Sequence, residues 1–569
     1  MKLVKIIGYT LLTVLLLAVC IRFGMSFYLN SNFKALLNSN PHRHYNLEYD
    51  HLEVNLIKGD LTLIDLSLEP RKVVFDSLLH IQKNPAIMVE LNVDEVVFEG
   101  FRYFAYLKKK LLVKQIAIND PKLSVHILPK PAKNTYDTAQ STHSNSVFEE
   151  FSIDHFSLEN ASAQLYSIVQ GDTLNYGTVK DMDYTFDFAS YNPQDESKPY
   201  TVESMWLDID SIQLNHLGAY KASIQKIGLD FKKEEAYIIN STLTPRISIS
   251  EFDNKLDYRK PRMRYSIDSL WCSQIDFEKA IYLEWDARIL EFFGLDVEMY
   301  INTNLPLPPN KNFDLVATKF RETRGFINID SIQINNSSFT YLMPGAQKEG
   351  LARLNFSKIN GYITNCNNQT AVSESPAVMV TNITSQPHET GHLQVLWQID
   401  LADANNSFKS RIIYKDADLT AFNSIIEKTT HIHINEGQLP FLDLRITGNS
   451  KTINGEILYE LEQLSLQINK VKDNEKKERK FSSFIANTVV PSNTKEPKMY
   501  HSQFEFPMPS KTTYLKLQWV SLQEGLKNGF LHNDYKKLMK EEEHSAKKAD
   551  RKRQKAEKKE RRKNRSLFQ

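Results

Sequence analysis

Leu61-Thr62-Leu63-Ile64-Asp65-Leu66-Ser67-Leu68 carries apolar side chains at Leu61, Leu63, Leu66 and Leu68. Alternation with period two marks a strand with one buried face. The step from Leu63 to Leu66 moves the apolar set into the other phase. An unbroken strand would then show its second half to the wrong face. The spacing therefore predicts a bulge or tight bend at its middle.

The same spacing returns at Leu91-Val93/Val96-Phe98, Leu111-Val113/Ile116-Ile118, Phe151-Ile153/Phe156-Leu158, Leu207-Ile209/Ile212-Leu214, Tyr265-Ile267/Leu270-Cys272 and Ile327-Ile329/Ile332-Ile334. In five copies an acidic residue follows the second apolar position: Asp94, Asp154, Asp210, Asp268 and Asp330, separated by 60, 56, 58 and 62 residues on subtraction. A unit recurring at this interval predicts strand groups stacked around one apolar surface. That surface is either a closed core or an open groove, and both give the same alternation. Ile153, Phe156, Ile209, Ile212, Ile329 and Ile332 are the candidate groove-lining residues.

The rest of the chain fits a mainly β protein with few helices. Continuous helical periodicity is absent, which argues against a parallel α/β fold. Short links favour antiparallel pairing. Lys58-Gly59-Asp60 reads as a hairpin turn, and Asn119-Asp120-Pro121 as a turn before the strand at 123–127. Helices are expected near 27–37, 102–110, 276–293 and 419–428, and loops at 306–312 and 373–388. The segment 512–531 reads as an amphipathic helix with Leu515, Trp519, Leu522 and Leu526 on its apolar face. Residues 129–146 are polar and rich in Ser, Thr and Asn, as in a flexible linker.

Lys2 and Lys5 precede the uncharged run 6–21, and beyond Arg22 the run resumes to Leu29. A cleaved signal peptide, a lipoprotein modified at Cys20 and an uncleaved anchor all begin this way. No small-residue cleavage site is evident, and Val19 sits where a lipobox needs a small residue, which favours an anchor over 6–29.

The net charge of +1 hides an asymmetry. Between Lys536 and Arg565 there are 15 Lys or Arg and 6 Asp or Glu, a balance of +9 that leaves about −8 for the remainder. This tail is too polar to pack and lacks the interleaved aromatics of a nucleic-acid binder, so it reads as solvated, with weak affinity for anionic lipid.

Catalytic signatures are missing: there is no GxSxG, HExxH, GxxxxGK[ST] or GxGxxG. No catalytic, cofactor or metal residues are therefore assigned. His42-x-His44 with His51, and His431-x-His433, have strand-compatible spacing but no further ligands to complete a metal site. The repeated aspartates lack companion carboxylates and are expected to face outward at the bend, capping backbone amides. Cys272 and Cys366 either pair in an oxidising compartment or stay buried as apolar residues.

Leu52-x-Val54-x-Leu56 leads into Gly59-Asp60-Leu61-Thr62-Leu63 and Leu66-Ser67-Leu68-Glu69-Pro70, and 107–128 follows with Leu111-Leu112-Val113-Lys114-Gln115-Ile116-Ala117-Ile118-Asn119-Asp120-Pro121. With the anchor, these segments resemble the N-terminal unit of the AsmA-like family of envelope proteins. Asp416-Ala417-Asp418-Leu419, Ile434-x-x-Gly437, Leu444-x-Ile446-x-Gly448, Gly455 with Tyr459 and Leu464, and 481–487 with 522–526 resemble its C-terminal unit. The resemblance divides the chain into an anchor and short helix (1–40), an N-terminal β unit (41–128), a linker (129–146), a repeating β region (147–409), a C-terminal β unit (410–531) and a basic tail (532–569). It implies a single-pass protein of the bacterial inner membrane with an elongated, antiparallel β body in the periplasm. It also implies a non-enzymatic role in outer-membrane biogenesis or phospholipid handling, with acyl chains as partners, no nucleic acid and no cofactor. The alternative is a structural or interaction protein with a closed β core and no lipid cargo.

Overall fold

The computed structural model describes residues 44–540 except 56–57, 81–85, 103–104, 106–109, 129–149, 170–171, 192–199, 282–283, 310–314, 324, 346–349, 369–377, 431, 469–497 and 510–512. The expected anchor, the linker and the tail beyond Lys540 lie outside the described residues. No helix among the described residues is long and apolar enough to cross a membrane. The fold is mainly β, as expected. Two compact units are formed, one by 1–248 with 266–277 and the other by 249–265 with 278–569.

In the first unit β1 (Tyr45–Glu48) and β2 (His51–Asn55) lie end to end along β3 (Asp60–Pro70), each antiparallel to it, and β3 pairs antiparallel with β4 (Ile87–Glu99). Gly59, at φ +81, makes the turn between β2 and β3. The bend predicted inside Leu61–Leu68 is present. The ladder runs from Ile64↔Glu95 to Leu66↔Val93 and makes no pair at Asp65 and Asp94. Asp65 there adopts φ +52. The left-handed residue absorbs the phase change, so Leu63 and Leu66 both stay buried, as do Val93 and Val96 opposite them. These side chains, with Tyr49, Leu52 and Val54, form a small core.

Beyond β4 the pairing changes direction. β5 (Lys110–Asn119) and β6 (Lys122–Ile127) lie end to end, antiparallel to β4 and parallel to β7 (Glu150–Val169). A parallel neighbour needs a crossover connection, and β6 ends at Ile127 while β7 begins only at Glu150. The meander then continues antiparallel through β8 (Asp172–Tyr191), with the short β9 (Tyr200–Thr201) on its end, to β10 (Ser204–Leu217), β11 (Tyr220–Asp230) and β12 (Glu235–Pro245).

After β13 (Arg262–Ile275), the second unit repeats the device. β14 (Trp285–Phe293) and β15 (Asp296–Tyr300) lie end to end, parallel to β16 (Ile327–Pro344). The expected helix over 276–293 is corrected here. Among the described residues of this span only Phe277–Ala280 is helical, and 285–293 form β14, where Ala287 and Leu290 align with Ile329 and Ile332 on β16. An antiparallel meander follows through β17 (Leu351–Asn367), β18 (Val378–Pro387), β19 (His392–Asp400), β20 (Phe408–Asp418), β21 (Ile432–Gly448), β22 (Thr452–Ile468) and β23 (Lys498–Pro507). The loop expected at 373–388 is largely β18, paired on both edges.

Helices cover the sheet in this unit, and the short helix Val316–Glu322 adds Ala317 and Phe320 to the same core. The helix Asn423–Thr430, expected from sequence, packs on β17 and β21, and Tyr514–Leu531 packs on β22 and β23. Beneath them lies a closed core that includes Leu444, Ile446, Ile453 and Ile457, none more than 1% exposed. The C-terminal helix exists as expected, and of its expected apolar face Leu522 and Leu526 pack against the core while the other two residues do not. Leu515 and Trp519 are 67% and 52% exposed, while Tyr514, Leu517, Ser521, Gly525 and Gly529 face the sheet. A helix lying close against a sheet needs small residues at the contact, and hydrophobic periodicity does not register them.

Candidate apolar groove face

The bend seen at Asp65 recurs across the first unit and gives its sheet an ordered inner face. Four strands carry the eight-residue spacing in mutual register. Tyr184, Leu207, Leu229 and Ala236 stand opposite one another on β8, β10, β11 and β12, and so do Met182, Ile209, Ile227 and Ile238. Past the bend come Val179, Ile212, Ile224 and Ser241, then Gly177, Leu214, Ala222 and Leu243. Directly paired residues share a face, so these rows form one lattice. At about 4.8 Å between strands and 3.3 Å per residue, it measures roughly 14 Å by 23 Å, about 300 Å². Contiguous apolar surface of that size marks a functional or partner-facing surface when it is left open.

The six candidate residues divide between the units. In the first, Ile153 is 5% and Ile209 9% exposed, while Phe156 and Ile212 are half-buried. Phe156 lies parallel to Phe186, with ring centres 4.9 Å apart, and extends the lattice onto β7. None of the four belongs to either cluster of buried residues. Most other members of the rows are half-buried too. In the second unit Ile329 and Ile332 pack against the closed core. The structure therefore places four candidates on one face of the first unit, Ile153 and Ile209 buried and Phe156 and Ile212 half-buried, and packs the other two against the closed core of the second.

The sequence reading missed the copies on β8, β11 and β12. They carry the same spacing with Gly177 on β8, Ala222 on β11, and Ala236 and Ser241 on β12 in place of large apolar residues. A search that tolerated one small residue per copy would have found the first two, and one that tolerated two would have found β12 as well.

Four of the five repeated aspartates sit where the ladder makes no pair, each across from a residue with left-handed backbone. Asp94 faces Asp65, Asp154 faces Phe188 (φ +50), Asp210 faces Asp181 (φ +50) and Asp330 faces Asn365 (φ +61). Asp94, Asp210, Asp268 and Asp330 are exposed, as expected of outward positions, and Asp154 is half-buried. Asp210 takes Lys226 Nζ at 3.2 Å rather than a backbone amide. These residues thus mark the bend from its partner strand.

The outer face of the same strands is polar. Lys226 bridges Asp208 and Asp210, which together raise its pKa. Tyr237 donates to Asp208 and lies over Gly228, where a Cβ would come within 2.1 Å of the ring. Asp187 accepts from Ser204 Oγ at 2.6 Å and contacts His155 Nδ1 at 2.8 Å, which together hold its carboxyl at about 2. A nucleophile relay needs the imidazole between hydroxyl and carboxylate. Here the carboxylate is in the middle, so Ser204 has no base.

Comparison with protein-family models and with curated proteins finds no match to this chain.

Among the described residues no group of three or more His, Cys, Asp or Glu side chains could hold a metal ion. His433 instead meets Glu427, and His44 lies against the ring of Phe75. His42 and His431 lie outside the described residues. Cys272 and Cys366 are both free thiols, and burial pushes Cys366 up to about 11.

Proposed function

We propose that this chain is a non-enzymatic, membrane-anchored envelope protein of AsmA-like type, which holds acyl chains on the inner face of its first unit. The observation that carries this reading is the four-strand lattice around Ile209, Ile212 and Ile227, apolar, ordered and for the most part only half-buried, Ile209 being buried. An acyl chain laid on it removes the remaining apolar area from water, at about 25 cal/mol per Å². Backbone groups are satisfied within the ladder, so the face offers dispersion and burial with little polar selectivity. Residues 6–29 anchor the protein in the inner membrane, the body lies in the periplasm, and the lipid is phospholipid in transit to the outer membrane.

The second unit supports the other reading for its own part. Its inner face is filled by its helices, so it acts as a structural unit rather than a cargo surface. Mass spectrometry of lipid retained by the detergent-purified full chain tests the proposal. Ile212→Asp should abolish co-purified phospholipid while Leu515→Asp, on the exposed side of the C-terminal helix, leaves it unchanged. Retention of lipid by Ile212→Asp sinks the groove.

A further inference from the structure

Among the described residues β23 pairs with no strand but β22. An edge strand of this length offers a row of backbone donors and acceptors to any extended chain. Between Lys498 and Pro507 it has neither an internal proline nor a break in register to discourage pairing. Its outward groups are nevertheless occupied, by side chains and backbone from the end of the C-terminal helix and the turn after it. Asn533 behaves as a surrogate peptide unit: its Nδ2 donates to Met499 O at 2.9 Å and its Oδ1 accepts from His501 N at 3.2 Å. Asp534 N donates to His501 O at 3.2 Å, and Asn528 Nδ2 to Gln503 O at 3.2 Å. Asp534 Oδ1 also meets Nδ1 of the buried His501.

We propose that residues 528–534 are a lock on the free edge of β23, and that opening it lets β23 pair antiparallel with β23 of a second copy. The partner is argued from the strand itself. A two-fold axis at Ser502 sets His501 opposite Gln503, so the same outward groups that the lock occupies bond to one another. It also sets Tyr500 opposite Phe504, an aromatic cross-strand pair of the kind that favours antiparallel pairing. Every copy carries this self-complementary edge, as a closed two-fold interface requires.

The experiment is sedimentation velocity on the full chain in detergent across a range of concentrations. The wild type should sediment as a monomer, and Asn528→Ala/Asn533→Ala should form a concentration-dependent dimer. Adding Gln503→Pro, which removes an outward N–H from the edge, should restore the monomer. A folded double variant that stays monomeric at every concentration overturns the lock. A dimer that survives Gln503→Pro, or association only with another polypeptide, overturns the pairing. If the double variant loses its cooperative melt, Asn533→Asp serves instead. It keeps the acceptor for His501 N–H but sets a carboxylate against Met499 O, and it should dimerise while folded. A monomeric, folded Asn533→Asp also counts against the proposal.

Discussion

Asp94 stands directly across the ladder from Asp65, at the one position where β3 and β4 make no pair between Leu61 and Leu68. Asp65 carries the left-handed backbone and Asp94 the acidic signature that recurs along the chain. The division of labour has a physical reason. One left-handed residue suffices to turn the phase of a strand, and the residue opposite need only be small, polar and outward. The apolar rows on either side of the bend then meet the same inner surface.

Phe188 is the exception among these bend residues. It is bulky, 55% exposed and held at φ +50 opposite Asp154. A left-handed conformation costs an ordinary residue about 1–2 kcal/mol, and Asn tolerates it better. Phe188→Asn should raise stability by about 1 kcal/mol, read as a higher urea midpoint with an unchanged slope. A fall in the midpoint would mean that the phenyl ring contributes more than its backbone costs.

Much of this was legible. Where all four apolar positions are large, as in Leu207-Ile209/Ile212-Leu214, the spacing located both the strand and its bend. What escaped depends on partners distant in the sequence. The parallel placement of β5 and β6 against β7 is set by a crossover, and no local pattern records it. Gly177, Ala222, Ala236 and Ser241 hide three strands because the face admits small residues. Asn528, Asn533 and Asp534 read as ordinary turn formers, since only the presence of an adjacent edge strand makes them a lock.

The bonds at Asp187 predict an acid limb. Its folded-state pKa, about 2, lies below the ordinary carboxylate value of about 3.9. The bonds from Ser204 and His155 therefore contribute fully above about pH 4, and the contribution is lost as the pH falls toward 2. Asp187→Asn should flatten the fall in stability between pH 4 and 2 and lower stability at neutral pH. Urea midpoints against pH for both proteins give the comparison. Superimposable profiles would show that the carboxylate does not engage Ser204 and His155 in solution.

The two inner faces should answer differently to a buried charge. Ile457 is 0% exposed under the C-terminal helix, whereas Ile212 is half-buried. An unpaired carboxylate deep in a packed core is neutralised or unfolds its surroundings, a loss of several kcal/mol. Ile457→Asp should abolish the cooperative melt of its unit, and Ile212→Asp should lower the melting temperature only modestly. Equal collapse of both variants would favour a closed core throughout.

The seating of the C-terminal helix rests on its glycines. In an exposed helix Gly→Ala stabilises by about 1 kcal/mol, because alanine loses less backbone freedom. At Gly529 a Cβ would stand 2.6 Å from Tyr459 Oη. Tyr459 is 0% exposed and stacked on Tyr500 with ring centres 4.9 Å apart, so the ring has nowhere to go. Overpacking of this kind costs about 1–3 kcal/mol, which exceeds the propensity gain. Gly529→Ala should therefore destabilise the second unit. Leu515→Ala, on the outward side at 67% exposure, should change stability by no more than about 0.5 kcal/mol. Hydrophobic periodicity alone ranks the two the other way, with Leu515 as the anchor and Gly529 as a weak point that alanine would mend. Thermal midpoints for the two variants decide between these seatings, and a stabilised Gly529→Ala beside a damaged Leu515→Ala would turn the helix onto its other face.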